Sequence, residues 1–266
     1  MPKRNNMETS PASKETNKET NKEALKENVD DEPKTKKVKV DSNSSVEDIR
    51  KALQEEARAD SSTSDESSDE EGLDLPDYKT IDVDPDEYLQ QLVEAMYGHR
   101  LTVKPALDLS EYFPEITEEQ IAAYDIKVVA ATRENKLQAL KELYRKGQSM
   151  ACCNRFGESL LHMACRRGFK DIGAFLLEEV KLQVRIRDDC GRTPMHDICW
   201  NPRMQLELAH MLLERDPTLL LICDKRGHTP FKYARPEDWR KWRKFLFECR
   251  YLLEPLGNEE TRKVFQ

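Results

Sequence analysis

Two pairs of histidine and cysteine, each with its members three residues apart, could provide metal ligands. His162 and Cys165 form the first pair, and His196 and Cys199 form the second. A tetrahedral zinc site takes four nitrogen or thiolate ligands. The further cysteines that could complete such sites are Cys152, Cys153, Cys190 and Cys223.

A reactive cysteine is the second chemistry that these residue types allow. Nucleophilic catalysis needs a thiolate beside a base that a third group orients. Cys152 and Cys153, close to Arg155, could be reactive if they are exposed. However, the sequence contains no Gly-rich phosphate loop, no paired carboxylates in an apolar context and no nucleophile elbow. We therefore predict no enzymatic activity, no catalytic residues and no cofactor.

The first His-Cys pair lies in a stretch that recurs along the chain. Residues 157–165 read Gly-Glu-Ser-Leu-Leu-His-Met-Ala-Cys, and residues 191–199 read Gly-Arg-Thr-Pro-Met-His-Asp-Ile-Cys. A third, divergent copy at residues 227–234 reads Gly-His-Thr-Pro-Phe-Lys-Tyr-Ala. The glycine that begins each copy, at positions 157, 191 and 227, recurs after 34 and then after 36 residues. A constant period in this range indicates stacked structural repeats.

Each copy carries the residues that begin a helix. Ser159, Thr193 and Thr229 precede the apolar run, and a hydroxyl there can accept from the free N–H groups of the first turn. Pro194 and Pro230 follow at the first helical position, where a missing N–H has no cost.

These copies resemble the ankyrin repeat, whose signature is Thr-Pro-Leu-His-x-Ala. The resemblance covers roughly residues 118–250. It implies an all-α solenoid of about four helix-turn-helix units with projecting hairpin loops, the first and last units being degenerate. It also implies that His162 and His196 hydrogen-bond to backbone and tie neighbouring repeats together. Cys165 and Cys199 then replace small buried residues, and free cysteine packs well in such places. We therefore predict no bound metal.

Composition divides the chain into four regions. We expect a disordered low-complexity tail over residues 1–80, an amphipathic helix with a connecting segment over 81–117, the repeat domain over 118–256, and a C-terminal tail over 257–266. The helix should start at Asp84 and Pro85 and stop at Gly98. We expect it to dock on the N-terminal end of the solenoid or to form part of a partner site.

Charge and cysteine usage limit the function classes. Residues 118–266 have a net charge of +5 and residues 1–117 one of −13, which gives −8 for the chain. The seven cysteines are an odd number that mostly follows the repeat, and we find neither a signal peptide nor a run of about 18 apolar residues. We predict free thiols in a reducing compartment, nucleus or cytoplasm.

The tail contains two candidate regulatory segments. Residues 33–40 resemble a nuclear import signal with Lys34, Lys36, Lys37 and Lys39, although a solvated basic run would look the same. Residues 61–71 are rich in serine and acid. The positions with an acid three residues later, typical of acid-directed kinase substrates, are Ser62, Thr63, Ser67 and Ser68. An acidic solubilising spacer is the alternative.

Binding of an acidic protein is the function that this sequence favours. In the family that it resembles, the hairpin tips and the exposed side of the inner helices contact partners. Arginine and tryptophan, which are enriched in binding hot spots, recur there. The candidate partner-binding residues are Arg155, Phe156, Arg166, Arg167, Arg187, Arg192, Trp200, Arg203, Lys225 and Arg226. We also expect the acidic tract, residues 61–117 with net charge −12, to fold back on this basic face.

The leading hypothesis is therefore a monomeric, non-enzymatic, intracellular adaptor. Two alternatives remain open at this point. One is a chromatin or nucleic-acid-associated regulator, which the basic repeat domain permits although no nucleic-acid motif is present. The other is a regulatory subunit of an enzyme with a reactive Cys152 or Cys153.

Overall fold

The structure, a computed structural model, describes residues 74–265. The lysines of the candidate import signal and the four candidate phosphorylation sites lie outside these residues. The described residues belong to one compact unit whose core runs from Tyr88 to Phe265.

Paired helices make up most of this unit. The first repeat consists of helices α3 and α4, the second of α5 and α6, and the third of α7 and α8. The bounds of the helices up to the third repeat are Pro85–Tyr97 (α1), Glu118–Ala123 (α2), Ile126–Arg133 (α3), Leu137–Arg145 (α4), Leu160–Arg167 (α5), Lys170–Ala174 (α6), Pro194–Trp200 (α7) and Leu206–Leu213 (α8). Helix α6 continues as a π-helical turn over Phe175–Glu179. The first members of consecutive repeats, the inner helices α3, α5 and α7, stack against one another.

The fourth repeat is truncated, as its sequence predicts. Its inner helix is a single 3₁₀ turn, Pro230–Tyr233, which stacks on α7. Arg235 precedes Pro236 and is held at ψ 142°, because a residue before proline is disfavoured in helical conformation. The helices that follow are Trp239–Glu248 (α9), Glu254–Gly257 (α10) and Glu259–Phe265 (α11), with further 3₁₀ turns at Ala106–Asp108, Pro217–Leu221, Pro236–Asp238 and Arg250–Leu253.

Helix α1 has the predicted ends but a different place in the fold. The Asp84 carboxylate accepts from the backbone N–H of Glu87 at 2.9 Å, and Gly98 ends the helix at φ +74°. The helix packs on α9 and on the 3₁₀ turn of the fourth repeat, at the C-terminal end of the stack. The expectation that it docks on the N-terminal end is therefore wrong. Its buried face includes Val93, whereas Ala95 is exposed.

The segment between α1 and α2 returns along the repeats towards their N-terminal end. Strand β1 (Lys104–Pro105) pairs in parallel with β2 (Ile222–Cys223). Further on, the Tyr112 hydroxyl donates to Asp216 at 2.7 Å. The Ile116 side chain then lies over Gly157, where a Cβ would stand 2.6 Å from the carbonyl oxygen of Arg187. Only glycine fits there, because Gly157 also has φ +80°.

Two of the expected boundaries move outwards. Tyr78, assigned to the disordered tail, packs with its ring centroid 5.4 Å from that of Phe247. The buried Arg243 donates to the carbonyl oxygen of Val83 at 2.7 Å and fixes the same segment on α9. At the other end, residues 257–265 are largely helical, and Phe265 is buried 6.1 Å from the Tyr112 ring. Both ends belong to the folded unit because their aromatic side chains complete its core.

Candidate functional site

The signature histidines are structural, as the resemblance implied. The Nδ1 atom of His162 accepts from the backbone N–H of Ser159 at 3.3 Å, and that of His196 accepts from Thr193 at 3.1 Å. Their Nε2 atoms lie 3.1 Å from the carbonyl oxygens of Arg192 and His228 in the next repeat. With Nδ1 accepting, Nε2 must carry the proton and donate. Both ring nitrogens are thus used, and neither is available to a metal.

His196 is held neutral by its surroundings. Burial lowers the pKa of this imidazole to about 4, although the backbone hydrogen bond to His228 acts in the opposite direction. A protonated ring would lose its acceptor at Nδ1 and place a charge in the core.

The cysteines show no feature of a nucleophile. All seven are free thiols, and Cys152 and Cys153 are buried. Burial raises the pKa of Cys152 to about 12 and also raises the pKa of Cys153. The pKa values of Cys165 and Cys199 are raised by burial too. Because the thiolate is the reactive form, these environments do not support the hypothesis of a reactive Cys152 or Cys153.

Two of the candidate arginines are engaged within the repeats. Arg166 pairs with Glu158 at 2.5 Å and with the buried Asp197 at 2.9 Å. Arg192 pairs with the buried Asp188 at 2.6 Å inside its own hairpin. Although burial opposes their charges, these carboxylates raise the pKa of both guanidinium groups. Arg166 and Arg192 therefore stabilise the repeats through internal ion pairs.

Arg187 is covered by the chain itself. Its guanidinium lies 5.6 Å from the ring centroid of Phe113, in the segment that returns along the repeats. Its Nη1 atom donates to the carbonyl oxygen of Asp188 at 3.4 Å, whereas its buried Nε has no hydrogen-bond partner. This tip position is less accessible than the sequence suggests.

The two outer hairpin tips are open. The Arg155 guanidinium stacks on Phe156 at 4.6 Å from the ring centroid, and Phe156 is 46% exposed. Lys225 and Arg226 are exposed at the tip of the fourth repeat. Within residues 74–265, none of these three basic side chains forms an ion pair.

An exposed cluster, here named the Trp200 cluster, consists of Arg167, Trp200 and Arg203. Trp200 ends α7 and is 54% exposed, and both arginines are exposed without an ion pair in the described part of the chain. The buried Asn201 joins the backbone segments that carry these residues. Its side-chain amide donates to the carbonyl oxygen of Arg166 at 3.0 Å and accepts from the backbone N–H of Arg203 at 2.9 Å.

The sequence did not reveal that α1 packs against the fourth repeat. Lys232 occupies the signature histidine position, and its ammonium pairs with Asp84 at 2.7 Å. The signature hydroxyl of Thr229 donates to Asp86 at 2.7 Å. Burial raises the pKa of Asp86, while Thr229 and Lys232 act to lower it. One sequence feature could have indicated this contact. It is the lysine at the signature histidine position of the last repeat, together with the acidic residues at the N-terminus of α1.

We expected the acidic tract, residues 61–117, to fold back on the basic face of the repeats, and the structure describes residues 74–117 of this tract. Residues 61–73 lie outside the described residues. Among residues 74–117, Asp84 and Asp86 pair with Lys232, and Glu87 and Glu94 pair with Arg100. No carboxylate of residues 74–117 forms an ion pair with the candidate partner-binding residues.

The comparisons with known proteins agree with this geometry. Residues 128–222 match the family described as ankyrin repeats, in three copies. The chain therefore contains ankyrin repeats over residues 128–222. A relative from Rickettsia bellii (strain RML369-C), named as an ankyrin repeat protein, is 30% identical over 108 residues. That similarity covers 40% of this chain and 58% of the relative, so the chain matches less than two thirds of the relative's length. The truncated fourth repeat lies beyond the matched residues.

The described helices also bear on membrane association. Between residues 74 and 265, every helix is too short or too polar to cross a lipid bilayer.

Proposed function

We propose that this ankyrin-repeat protein is a non-enzymatic adaptor that binds an acidic surface of another protein. Ankyrin repeats are generally protein-interaction modules. The observation that carries the proposal is the Trp200 cluster, which combines a half-exposed indole with two exposed arginines that form no ion pair in residues 74–265. Such a cluster has an apolar face to bury and two charges to neutralise.

The composition of this surface sets the chemistry of the partner. Tryptophan and arginine are the residue types most enriched in binding hot spots. Arginine presents a planar fork of donors that suits carboxylates. Because Arg166 and Arg192 are already neutralised by their own carboxylates, the positive charge that remains for a partner comes from Arg167 and Arg203. Arg155 and Lys225, at the open hairpin tips, add further positive charge to this surface.

The tail supplies the proposed control of this adaptor. The lysine run at residues 34–39 would direct the protein to the nucleus, and phosphorylation within residues 61–71 would add about −1.5 to −2 charges per site. These proposals rest on the sequence pattern, since both segments lie outside the described residues.

The test compares proteins captured by the full chain with those captured by a variant that carries Arg167→Gln, Trp200→Ala and Arg203→Gln. Nuclease-treated extracts remove complexes that nucleic acid bridges. We expect at least one protein to be enriched by the native chain and lost with the variant. Its purified form should bind at least about tenfold more weakly to Trp200→Ala alone, as for a hot-spot residue.

Two exposed positions outside the cluster serve as matched controls. Ile126→Ala removes an exposed apolar side chain, and Arg240→Gln removes an exposed arginine. Both variants should capture the partner as the native chain does. The proposal fails if no captured protein depends on the cluster, or if the controls reduce capture as strongly as the cluster variant.

A further inference from the structure

One exposed arginine lies at the end of the inner helix of every repeat or within three residues after it. Arg133 and Arg167 are the last residues of α3 and α5. Arg203 is the third residue after α7, and Arg235 is the second residue after the 3₁₀ turn of the fourth repeat. All four side chains are exposed. We call these four residues the arginine series.

The arginine series forms no ion pair in the described part of the chain, although Arg133, after Lys136, helps to lower the pKa of the Glu134 carboxyl. None of its members forms an ion pair among residues 74–265, and two nearby carboxylates are already paired with lysines. Glu134, next to Arg133, pairs with Lys136, and Glu207 pairs with Lys170. The four charges are therefore available to another molecule.

The stacking of the repeats sets the spacing of the series. Helix α3 packs on α5, α5 on α7, and α7 on the 3₁₀ turn of the fourth repeat. The Asn201 amide bonds to the carbonyl oxygens of Cys165 and Arg166, which places the ends of α5 and α7 side by side. Packed helices lie about 8–10 Å apart. With one arginine at each of these ends, we expect a row of positive charges with about this spacing.

Stabilisation of the helices does not account for the whole series. A basic residue in the last turn of a helix interacts favourably with the helix dipole, which would suffice for Arg133 and Arg167. Arg203 and Arg235 lie beyond the ends of their helical segments, where the dipole interaction falls off. Their positions make better sense as parts of a binding surface.

We infer that the arginine series binds an extended acidic segment of the partner, with an acidic side chain at every third residue. An extended chain rises about 3.1 Å per residue in the polyproline conformation, so three residues cover about 9 Å and match one repeat. Trp200, beside Arg167 and Arg203, packs against the segment between two of its acidic residues. The inference rests on the proposed function, because the Trp200 cluster belongs to both, and it adds Arg133, Arg235 and the register of the partner.

Two peptides of equal composition test the register. The spaced peptide contains four copies of Glu-Gly-Pro, and the block peptide contains four consecutive glutamates followed by four copies of Gly-Pro. Each carries a fluorophore, and its binding to the full chain is measured by anisotropy at about 50 mM and 200 mM salt. We expect the spaced peptide to bind at least about threefold more tightly than the block peptide, and both to weaken as the salt concentration rises.

Single variants then locate the peptide. Arg133→Gln, Arg167→Gln, Arg203→Gln and Arg235→Gln should each weaken binding of the spaced peptide about two- to fivefold, the range for an exposed charge pair. The matched controls are Arg145→Gln and Arg240→Gln, which remove exposed arginines from α4 and α9. They should leave binding unchanged.

Three results would overturn the inference. These are equal binding of the two peptides, absence of binding at the lower salt concentration, and equal losses in the series and control variants. Tighter binding of a twelve-residue oligothymidylate than of the spaced peptide would also overturn it, in favour of nucleic acid. If a captured protein still depends on the Trp200 cluster while the spaced peptide fails, the adaptor function stands and only the extended acidic segment is wrong.

Discussion

The hydroxyl of Thr229 donates a hydrogen bond to the carboxylate of Asp86 at 2.7 Å, across 143 residues of sequence. Thr229 is the signature hydroxyl of the last repeat, and Asp86 lies in the first turn of α1. In the earlier repeats His162 and His196 reach the following repeat. At the equivalent position Lys232 reaches Asp84. A helix that precedes the repeats in sequence thus takes the place of a fifth repeat after them.

Removing the buried face of α1 should destabilise the whole unit. Leu92 is fully buried, so Leu92→Ala should reduce the free energy of unfolding by about 2–5 kcal/mol, the cost of a cavity in a core. Equilibrium urea unfolding of the full chain measures this change. Ala95→Ser, at an exposed position of the same helix, should stay within about 0.5 kcal/mol of the native protein. A loss below about 1 kcal/mol for Leu92→Ala would show that α1 does not contribute to the core at the C-terminal end of the stack.

A similar cost is expected in the second repeat. Leu161 is fully buried in α5, and Leu161→Ala should again cost about 2–5 kcal/mol in urea unfolding. Ile126, which is 83% exposed, provides the control, because Ile126→Ala removes a large apolar side chain from the surface. Equal effects of the two substitutions would contradict the burial described for Leu161.

Acid should destabilise the protein through His196. Its pKa is about 4 in the folded chain against 6.5 for an unperturbed histidine, so the unfolded chain takes up the proton first. The contribution of the neutral His196 ring to the free energy of unfolding is complete above about pH 6.5 and is lost as the pH falls towards 4. Between pH 8 and pH 5 the free energy of unfolding should fall by about 2 kcal/mol on this account.

Two measurements check the role of His196. An NMR titration should show that its imidazole stays neutral at pH 5. His196→Gln should weaken the pH dependence of urea unfolding, whereas His228→Gln, at an exposed side chain, should retain it. An imidazole that titrates at its ordinary pKa would refute the buried, neutral ring.

Nuclear enrichment should depend on the lysine run of the tail. Changing Lys34, Lys36, Lys37 and Lys39 to alanine should distribute a fluorescent fusion evenly between nucleus and cytoplasm, because an import carrier recognises clustered positive charge. The matched control changes Lys14, Lys18, Lys22 and Lys26, which are spread along the same tail. The import hypothesis is wrong if both variants distribute as the native chain does.

An acid-directed kinase should modify the acidic tract selectively. We expect phosphate on Ser62, Thr63, Ser67 and Ser68, each of which has an acidic residue three positions later, and none on Ser10, Ser13 or Ser42, which lack one. Mass spectrometry of the full chain after treatment with such a kinase reads this directly. Equal modification of both groups would remove the basis for regulation through this tract.

Local sequence signals determined the repeats. Glycine, hydroxyl, proline and histidine act on the residues immediately around them, so the starts of α5 and α7 and the roles of His162 and His196 follow from their spacing. The same holds for the ends of α1, since Asp84 and Gly98 cap the helix from adjacent positions. The ankyrin-repeat fold was therefore predictable from the sequence alone.

The tertiary structure alone decided which charges remain free and where α1 lies. Arg166 and Arg203 both lie near the end of an inner helix, and the sequence does not distinguish them. In the structure, Arg166 is neutralised by Glu158 and Asp197, which belong to two different repeats. The place of α1 depends on Asp86 meeting Thr229 across most of the chain. The Arg166–Asp197 pair and the Thr229–Asp86 hydrogen bond join residues 31 and 143 positions apart in sequence. No local pattern encodes such contacts, because an ion pair or a packed helix face depends on the arrangement of all the elements around it.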